Sequence, residues 1–252
     1  MRLIICETYE EMSKKAAQIV ASQITLKPDS VLGLPTGSTP VGMYTMLGEM
    51  NKKGEIDFSD VTTFNLDEYY KIDPKNDQSY RYFMNDKLFS KINIKMENTH
   101  VLYGLAEDPE EECKQYEKMI KDAGGIDLQV LGIGQNGHIG FNEPDSALNA
   151  VTHLTSLTES TINANSIFFE SRDEMPKAAL TMGIGSILKA RKIILLANGE
   201  NKKEAVKELL NNDIKPSSPA SILKVHPDVT LLCERAAIGD ADISEGGVIS
   251  VK

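Results

Sequence analysis

The sequence predicts an α/β protein whose central sheet is mainly parallel, and three observations support this prediction. Short apolar runs alternate with amphipathic segments of helical period along almost the whole chain. The runs are continuous rather than alternating, as in strands that are covered on both faces. Several of them end in glycine-rich or polar turns, which is where open α/β sheets bind their ligands.

The first half of the chain contains four apolar runs with the length of strands. They are Leu3–Cys6, Ser30–Leu34, Val61–Leu66 and the shorter His100–Tyr103. Helix start signals follow three of them: a capping box of Thr8 and Glu11, Thr39 as N-cap with Pro40 in the first turn, and Asp108–Pro109. This half therefore predicts repeated strand–helix units.

The second half continues the alternation. Its predicted strands are the run that opens at Asp127, the weaker Val151–Leu157, Ile193–Ala197 and, as the last strand, Val229–Cys233. A predicted helix opens at Pro176 and holds Gly183 and Gly185, which weaken a helix and indicate close packing or a ligand. The whole pattern predicts a Rossmann-like three-layer αβα sandwich with a mainly parallel central sheet, formed by residues 1–252 as a single domain.

Composition excludes several classes of partner. The formal net charge of −10 argues against nucleic acid and anionic membranes, although a local cluster of donors can still hold a phosphorylated substrate. The three cysteines, Cys6, Cys113 and Cys233, show neither metal spacing nor a disulfide framework. With no signal peptide and no apolar run of membrane-spanning length, the sequence predicts a cytoplasmic protein.

The stretch from Asp127 to Pro144 carries the strongest chemical signal. Its apolar start breaks into glycines, and His138 and Glu143 follow on the same loop. Histidine exchanges protons near neutral pH, and glycines let a ligand approach the backbone. The pattern therefore predicts a strand that delivers an acid/base pair into a glycine-lined crevice.

The same stretch contains a misleading nucleotide-binding motif. Gly132, Gly134 and Gly137 match G-x-G-x-x-G, the dinucleotide fingerprint, which requires a helix to open at the third glycine. The segment 139–144 is a poor helix start, and Glu159 is only an approximate match to the acidic residue expected about 20 positions on. A nicotinamide or flavin site is therefore disfavoured.

Three other polar turns follow predicted strands. They are the hydroxyl-rich segment 35–40, the carboxylates Asp67 and Glu68, and the pair Lys202 and Lys203 at a helix start. Each also has a plain structural interpretation: a capped βα turn, a carboxylate that caps the next turn, or a solvated lysine pair. Right-handed crossovers place all four turns on one sheet edge, which predicts an acid/base enzyme for a small phosphorylated polar molecule.

Four segments resemble the glucosamine-6-phosphate deaminase (isomerising) family of sugar-phosphate isomerases. The matching segments are Leu34–Pro40, Phe64–Tyr69, Leu131–Pro144 and Pro219–Leu223. The likeness covers almost the full length, and the run Asn-Gly-His-Ile-Gly-Phe-Asn-Glu-Pro is highly specific. The family converts glucosamine 6-phosphate and water to fructose 6-phosphate and ammonia without metal or organic cofactor.

The resemblance implies a role for each candidate residue. His138 would open the sugar ring, Glu143 and Asn136 would hold its imidazole, and Asp67 would move a proton from C2 to C1. A phosphorylated amino sugar is the implied ligand, and its phosphate would be held by Thr36, Gly37, Ser38, Thr39 and Lys202. No nucleic acid or membrane partner is implied, and the chain is expected to be a monomer or a homo-oligomer.

Two departures from the family pattern affect these expectations. Many members have Asp in place of Asn136, although a subset of bacterial members also has Asn. Ile167 stands where the family usually has a phosphate-binding Arg, so Arg172 or Lys203 replaces it, phosphate is held more weakly, or the substrate differs. The basic residues of the family's N-acetylglucosamine 6-phosphate effector site are not evident around residues 153–155, so no such allostery is expected.

Three alternative functions remain open from the sequence. Ile167 keeps open a deaminase for another epimer, such as galactosamine 6-phosphate. A 6-phosphogluconolactonase-like hydrolase is disfavoured by Asp67, because a proton-abstracting Asp after this strand belongs to isomerase chemistry. A non-catalytic sugar-phosphate sensor is disfavoured by the acidic charge and the absence of a DNA-binding segment.

Overall fold

The main sheet of this computed structural model has eight strands, all paired in parallel. The structure describes residues 1–159, 161–162, 169, 171, 174–211, 213–239 and 249–251. The strands are β1 (Arg2–Cys6), β2 (Val31–Leu34), β3 (Thr62–Asn65), β5 (Thr99–His100), β6 (Leu128–Gly132), β9 (Lys192–Ala197), β10 (Val229–Glu234) and β11 (Ile249–Val251). Their spatial order is β11-β1-β10-β9-β6-β2-β3-β5. The predicted parallel sheet is therefore confirmed.

A second, three-stranded sheet is antiparallel and stands apart from the first. It consists of β4 (Asp67–Tyr69), β7 (His153–Ser156) and β8 (Ala178–Thr181), with β8 in the middle. Only Leu66 separates β3 from β4, so the chain passes directly from the main sheet to the small one. As a result, Asp67 lies just beyond the carboxyl end of β3 but is held by the pairing of the small sheet.

Helices cover both faces of the main sheet. They are α1 (Tyr9–Leu26), α2 (Val41–Lys52), α3 (Tyr80–Lys87), α4 (Pro109–Asp122), α5 (Ile184–Leu188), α6 (Lys203–Leu210) and α7 (Arg235–Ile238). Val130 packs in a buried cluster with residues of α1 and α2, whereas its neighbour Leu131 packs in another with residues of α4, α5 and α6. Successive strand residues face opposite sides, so these clusters are the two halves of a three-layer core.

The start of α2 differs from the prediction. The sequence predicts Thr39 as the N-cap, but the helix begins at Val41 and its N-cap residue is Pro40. The side chain that accepts from its first turn is that of Tyr9, whose Oη accepts from Gly42 N at 2.8 Å. Thr39 Oγ1 instead donates a hydrogen bond to Asn198 Oδ1 at 2.7 Å, across to the turn after β9. A tertiary contact has therefore taken the hydroxyl that local sequence signals assigned to the helix.

The segment that opens at Pro176 was also predicted wrongly. It forms β8, and α5 begins only after Gly183. A methyl group at Gly183 would overlap the Val151 carbonyl oxygen, and one at Gly185 would lie 2.7 Å from the Ala150 carbonyl oxygen. The two glycines therefore allow close backbone packing, which is one of the two alternatives that the sequence predicts; the other is a ligand. The strand ending at Glu234 is likewise not the last, because β11 pairs with β1.

Candidate active site

The loop after β6 is shaped around the His138 imidazole. A Cβ at Gly134 would overlap three atoms of that ring, so only glycine leaves space for it. Gly134 N donates to His138 O at 2.9 Å and Gly137 N donates to Gly134 O at 3.1 Å, which folds the loop back on itself. Gly137 has a φ of +83°, a conformation that favours glycine. This compact turn explains why no helix begins there, in agreement with the rejection of a dinucleotide site.

Asn136, His138 and Glu143 form one contact network on this loop. Asn136 Nδ2 donates to Glu143 Oε2 at 2.7 Å, and Asn136 Oδ1 accepts from His138 N at 3.2 Å. Nδ1 of His138 lies 3.4 Å from Glu143 Oε2 and makes no well-directed hydrogen bond within the described part of the chain, so the contact becomes an ion pair when the ring is protonated. The imidazole is partly exposed, which leaves it open to a ligand.

Glu143 is held in its ionised form. Burial opposes ionisation, but the close approach and charge of the His138 ring, together with the hydrogen bonds from Thr161 and Asn136, outweigh it and lower the pKa of Glu143 to about 2. Thr161 Oγ1 donates to Glu143 Oε1 at 2.5 Å. No local sequence pattern predicts this contact, because Thr161 lies 18 residues further along the chain.

Asp67 is a buried carboxyl that exchanges a proton near neutral pH. Burial, and secondarily the charge of Glu68, raises its pKa to about 8. Its partner in the small sheet is Thr181, whose Oγ1 accepts from Phe141 N at 3.0 Å. A Cβ at Gly140 would lie 3.5 Å from Asp67 Oδ2, so the histidine loop passes close to the carboxyl. Asp67 and the His138 network therefore border the same region.

Glu68 has a structural task beside Asp67. Its carboxylate accepts backbone hydrogen bonds from Tyr69, Tyr80 and Arg81, each at 2.9 Å, and so caps the first turn of α3. Burial raises its pKa to about 7 against the lowering effect of these bonds. Of the two adjacent carboxylates, Glu68 is therefore the cap that the plain structural interpretation anticipated, and Asp67 is left without such a role.

Aromatic rings form a buried cluster around Tyr69, which lies two residues beyond Asp67 on β4. Tyr69 lies 4.9 Å from Tyr80, 5.7 Å from Phe141 and 6.0 Å from Phe169, measured between ring centroids. Leu157 and Met175 are buried in the same cluster. Sequence reasoning missed this cluster because its members come from separate elements that only the tertiary fold brings together.

The hydroxyl-rich turn after β2 remains open to solvent. Gly37 and Ser38 are exposed, Thr36 and Thr39 are half-buried, and Gly37 has a φ of +88°. Tyr9 Oη contacts the carbonyl oxygens of Ser38 and Thr39 at 3.1 Å each, which braces the turn from α1. Free hydroxyl and backbone donors in such a turn are suited to an anion.

Among the described residues, Lys202 has the burial and the unpaired charge that suit a residue that binds an anion. It is half-buried at the start of α6, burial lowers the pKa of its ammonium group, and no acidic partner contacts it within the part of the chain that the structure describes. Lys203, by contrast, lies 3.6 Å from Glu200. Ile167 and Arg172, which the sequence argument also considered, lie outside the described residues.

The predicted site residues lie at the carboxyl ends of four adjacent strands. The turns follow β9, β6, β2 and β3, which are neighbours in that order. Among the described residues, no group of three or more His, Cys, Asp or Glu side chains could hold a metal ion. No described helix has the length and apolar character needed to cross a membrane.

Comparison with known families finds one match over most of the chain. Residues 6–232 match the family model of glucosamine-6-phosphate isomerases/6-phosphogluconolactonase. The glucosamine-6-phosphate deaminase of Thermoanaerobacter pseudethanolicus is 58% identical over 252 residues, covering 99% of this chain and 100% of that protein. The glucosamine-6-phosphate deaminase of Halothermothrix orenii is 59% identical over 94% of this chain and 98% of its own length.

Solved structures give the same result at two levels of similarity. A monomeric glucosamine-6-phosphate deaminase aligns with a TM-score of 0.91 and 46% identity, covering 94% of this chain and 98% of that one. The 6-phosphogluconolactonase of Thermotoga maritima aligns with a TM-score of 0.75 at 19% identity, over 93% of this chain and 99% of that one. The second likeness extends to the fold alone.

Proposed function

The chain belongs to the family of glucosamine-6-phosphate isomerases and 6-phosphogluconolactonases, and we propose that it converts glucosamine 6-phosphate and water to fructose 6-phosphate and ammonia. The observation that carries this proposal is the placement of two proton-transfer groups at one sheet edge. One is His138 with its partners Glu143 and Asn136, and the other is the buried Asp67, with a pKa of about 8. We also propose a cytoplasmic location, in keeping with three buried free cysteines.

His138 carries out the first step, the opening of the sugar ring. Its imidazole takes the proton of the hydroxyl at C1 and gives a proton to the ring oxygen, while the bond between C1 and that oxygen breaks. The product is the open-chain aldehyde. Glu143, which is ionised, balances the imidazolium that forms in between, and Asn136 holds the carboxylate in place.

Asp67 carries out the second step, the move of a proton from C2 to C1. Its carboxylate takes the C2 proton, the aldehyde oxygen gains a proton, and an enolamine forms between C1 and C2. Return of the proton to C1 gives the C2 imine of fructose 6-phosphate. Water then adds to C2 and ammonia leaves. A free Asp is a weak base at neutral pH, so the burial that raises the pKa of Asp67 makes this step feasible.

The turn formed by Thr36, Gly37, Ser38 and Thr39 is proposed to bind the phosphate together with Lys202. Lys202→Ala should raise the KM for glucosamine 6-phosphate at least tenfold with a smaller change in kcat, because it removes a partly desolvated cation. Lys207→Ala is the matched control, since Lys207 is an exposed lysine on the same helix and is not a candidate phosphate ligand. Equal effects of the two changes on KM would assign no special role to Lys202.

The pH dependence of kcat/KM should reveal the raised pKa of Asp67. Asp67 works as a base only when ionised, so kcat/KM should rise with pH, reach half of its maximum near pH 8 and level off about one pH unit above that. Because the charge of Glu68 contributes to that rise, Glu68→Gln should shift the acid limb to lower pH. An unmoved acid limb in a folded Glu68→Gln variant would show that another group controls it.

The direct test is ammonia release from glucosamine 6-phosphate by the purified protein, with no cofactor added. Galactosamine 6-phosphate and 6-phosphogluconolactone are assayed in parallel. Turnover of glucosamine 6-phosphate is the expected result. Turnover of only one of the other two compounds would replace this function with the corresponding alternative, and binding without turnover would indicate a sensor.

A further inference from the structure

The two oxygens of the Glu143 carboxylate have different partners. Oε2 faces the His138 ring and accepts from Asn136, both of which belong to the ring-opening network described above. Oε1 accepts only from Thr161 among the described residues, at 2.5 Å. Thr161 is 8% exposed, so water has little access to replace its hydroxyl. The hydrogen bond from Thr161 opposes a turn of the carboxylate plane that would take Oε2 away from the imidazole.

A second hydroxyl fixes the direction in which Thr161 donates. Thr158 Oγ1 lies 3.0 Å from Thr161 Oγ1 and donates to it, and it accepts from Thr161 N at 3.2 Å. Ile162 N donates to Thr158 O at 2.9 Å, which holds the turn that carries both threonines. The two hydroxyls thus form a chain that ends on the carboxylate, and such chains strengthen each of their hydrogen bonds.

We propose that Thr161 is a positioning residue for ring opening, which it serves by holding the Glu143 carboxylate with Oε2 toward the imidazole. This inference rests on the proposed function. A neutral hydroxyl suits the task, because a second cation at Glu143 would compete with the imidazolium for its charge. Within the described chain, His138 is the titratable group in contact with Glu143, and its other two partners, Asn136 and Thr161, are uncharged.

Thr161→Val tests the proposal because valine keeps the shape and removes the donor. With Oε1 unpaired, the carboxylate should turn away from the imidazole, so kcat for ammonia release should fall about tenfold while KM changes less than about twofold. Thr161→Ser restores a hydroxyl and should keep kcat within about threefold of the parent protein. If the valine variant does not fold, Thr161→Ala removes the same donor and carries the same expectation.

A double-mutant cycle separates positioning from a general structural effect. In a Glu143→Ala background, Thr161→Val should change kcat less than about twofold, because the group it positions is absent. Thr63→Val is the matched control: Thr63 is also buried, but its hydroxyl has no hydrogen-bond partner among the described residues, so its loss should leave kcat unchanged. An undiminished effect of Thr161→Val in the Glu143→Ala background would overturn the proposal.

The outcomes also distinguish this inference from the proposed function. A parent protein that is silent on glucosamine 6-phosphate would remove both. An active parent whose Thr161→Val variant keeps the parental kcat would remove only the role of Thr161. An active parent with a serine variant as slow as the valine variant would also overturn it, because the hydroxyl would then not be what matters.

Discussion

Asp67→Asn is expected to lower the turnover of glucosamine 6-phosphate about a thousandfold and to stop exchange of the C2 proton with solvent. Asparagine has nearly the same shape as aspartate and fits the same place in β4, opposite Thr181. It cannot accept the C2 proton, so the enolamine does not form. Ring opening at His138 does not require Asp67, and KM should therefore change little.

The exchange experiment measures the step itself rather than the whole turnover. The substrate is incubated with enzyme in deuterated water, and loss of the C2 proton signal is followed by nuclear magnetic resonance. Glu68→Gln is the matched control, because it changes the adjacent buried carboxylate, which caps α3. That variant should continue to exchange the C2 proton. Exchange that persists in Asp67→Asn would assign the base to another group.

Gly134→Ala should lower kcat about a hundredfold, because it displaces the His138 imidazole. The new methyl group would occupy the space of the His138 imidazole, so either the ring turns away or the loop shifts. In both cases the ring leaves its contact with Glu143 Oε2 and its place beside the sugar. Misplacement of a catalytic group by about 1 Å commonly reduces the rate to this extent.

Gly48→Ala provides the control for this change. Gly48 lies in α2, and a Cβ there would have Lys91 Cβ as its nearest neighbour, at 3.3 Å, so the same chemical change needs only a small adjustment. Its kcat should stay at the parental value. Circular dichroism and thermal unfolding establish that both variants are folded. A Gly134→Ala variant with more than half of the parental kcat would show that the loop accommodates the methyl group without moving His138.

The main sheet could be predicted because its strands carry their own signal. Val130 and Leu131 lie in a continuous apolar run, and burial on both faces is what such a run requires. The prediction of a helix after Pro176 was wrong for the opposite reason. Ala178–Thr181 is a short strand, and its pairing partners, Asp67–Tyr69 and His153–Ser156, are distant in sequence. No local pattern therefore predicts this strand.

The candidate site likewise has one part that the sequence predicts and another that depends on tertiary structure. Asn136, His138 and Glu143 share one loop, so spacing and residue type were enough to group them. The contribution of Thr161 could not be predicted, because one hydrogen bond to a distant carboxylate leaves no pattern in the sequence. The raised pKa of Asp67 also depends on tertiary structure, since it comes mainly from burial in the folded chain.

The division of the site between two sheets has a consequence for how such an enzyme changes. The imidazole follows a strand of the parallel sheet, whereas the Asp67 carboxyl belongs to the small antiparallel one. The two frames meet at Thr181 of β8, which pairs with Asp67 and accepts a hydrogen bond from Phe141 N in the loop that carries His138. Evolution and protein engineering must therefore satisfy the ring-opening and proton-shuttling halves of the reaction together at this one residue.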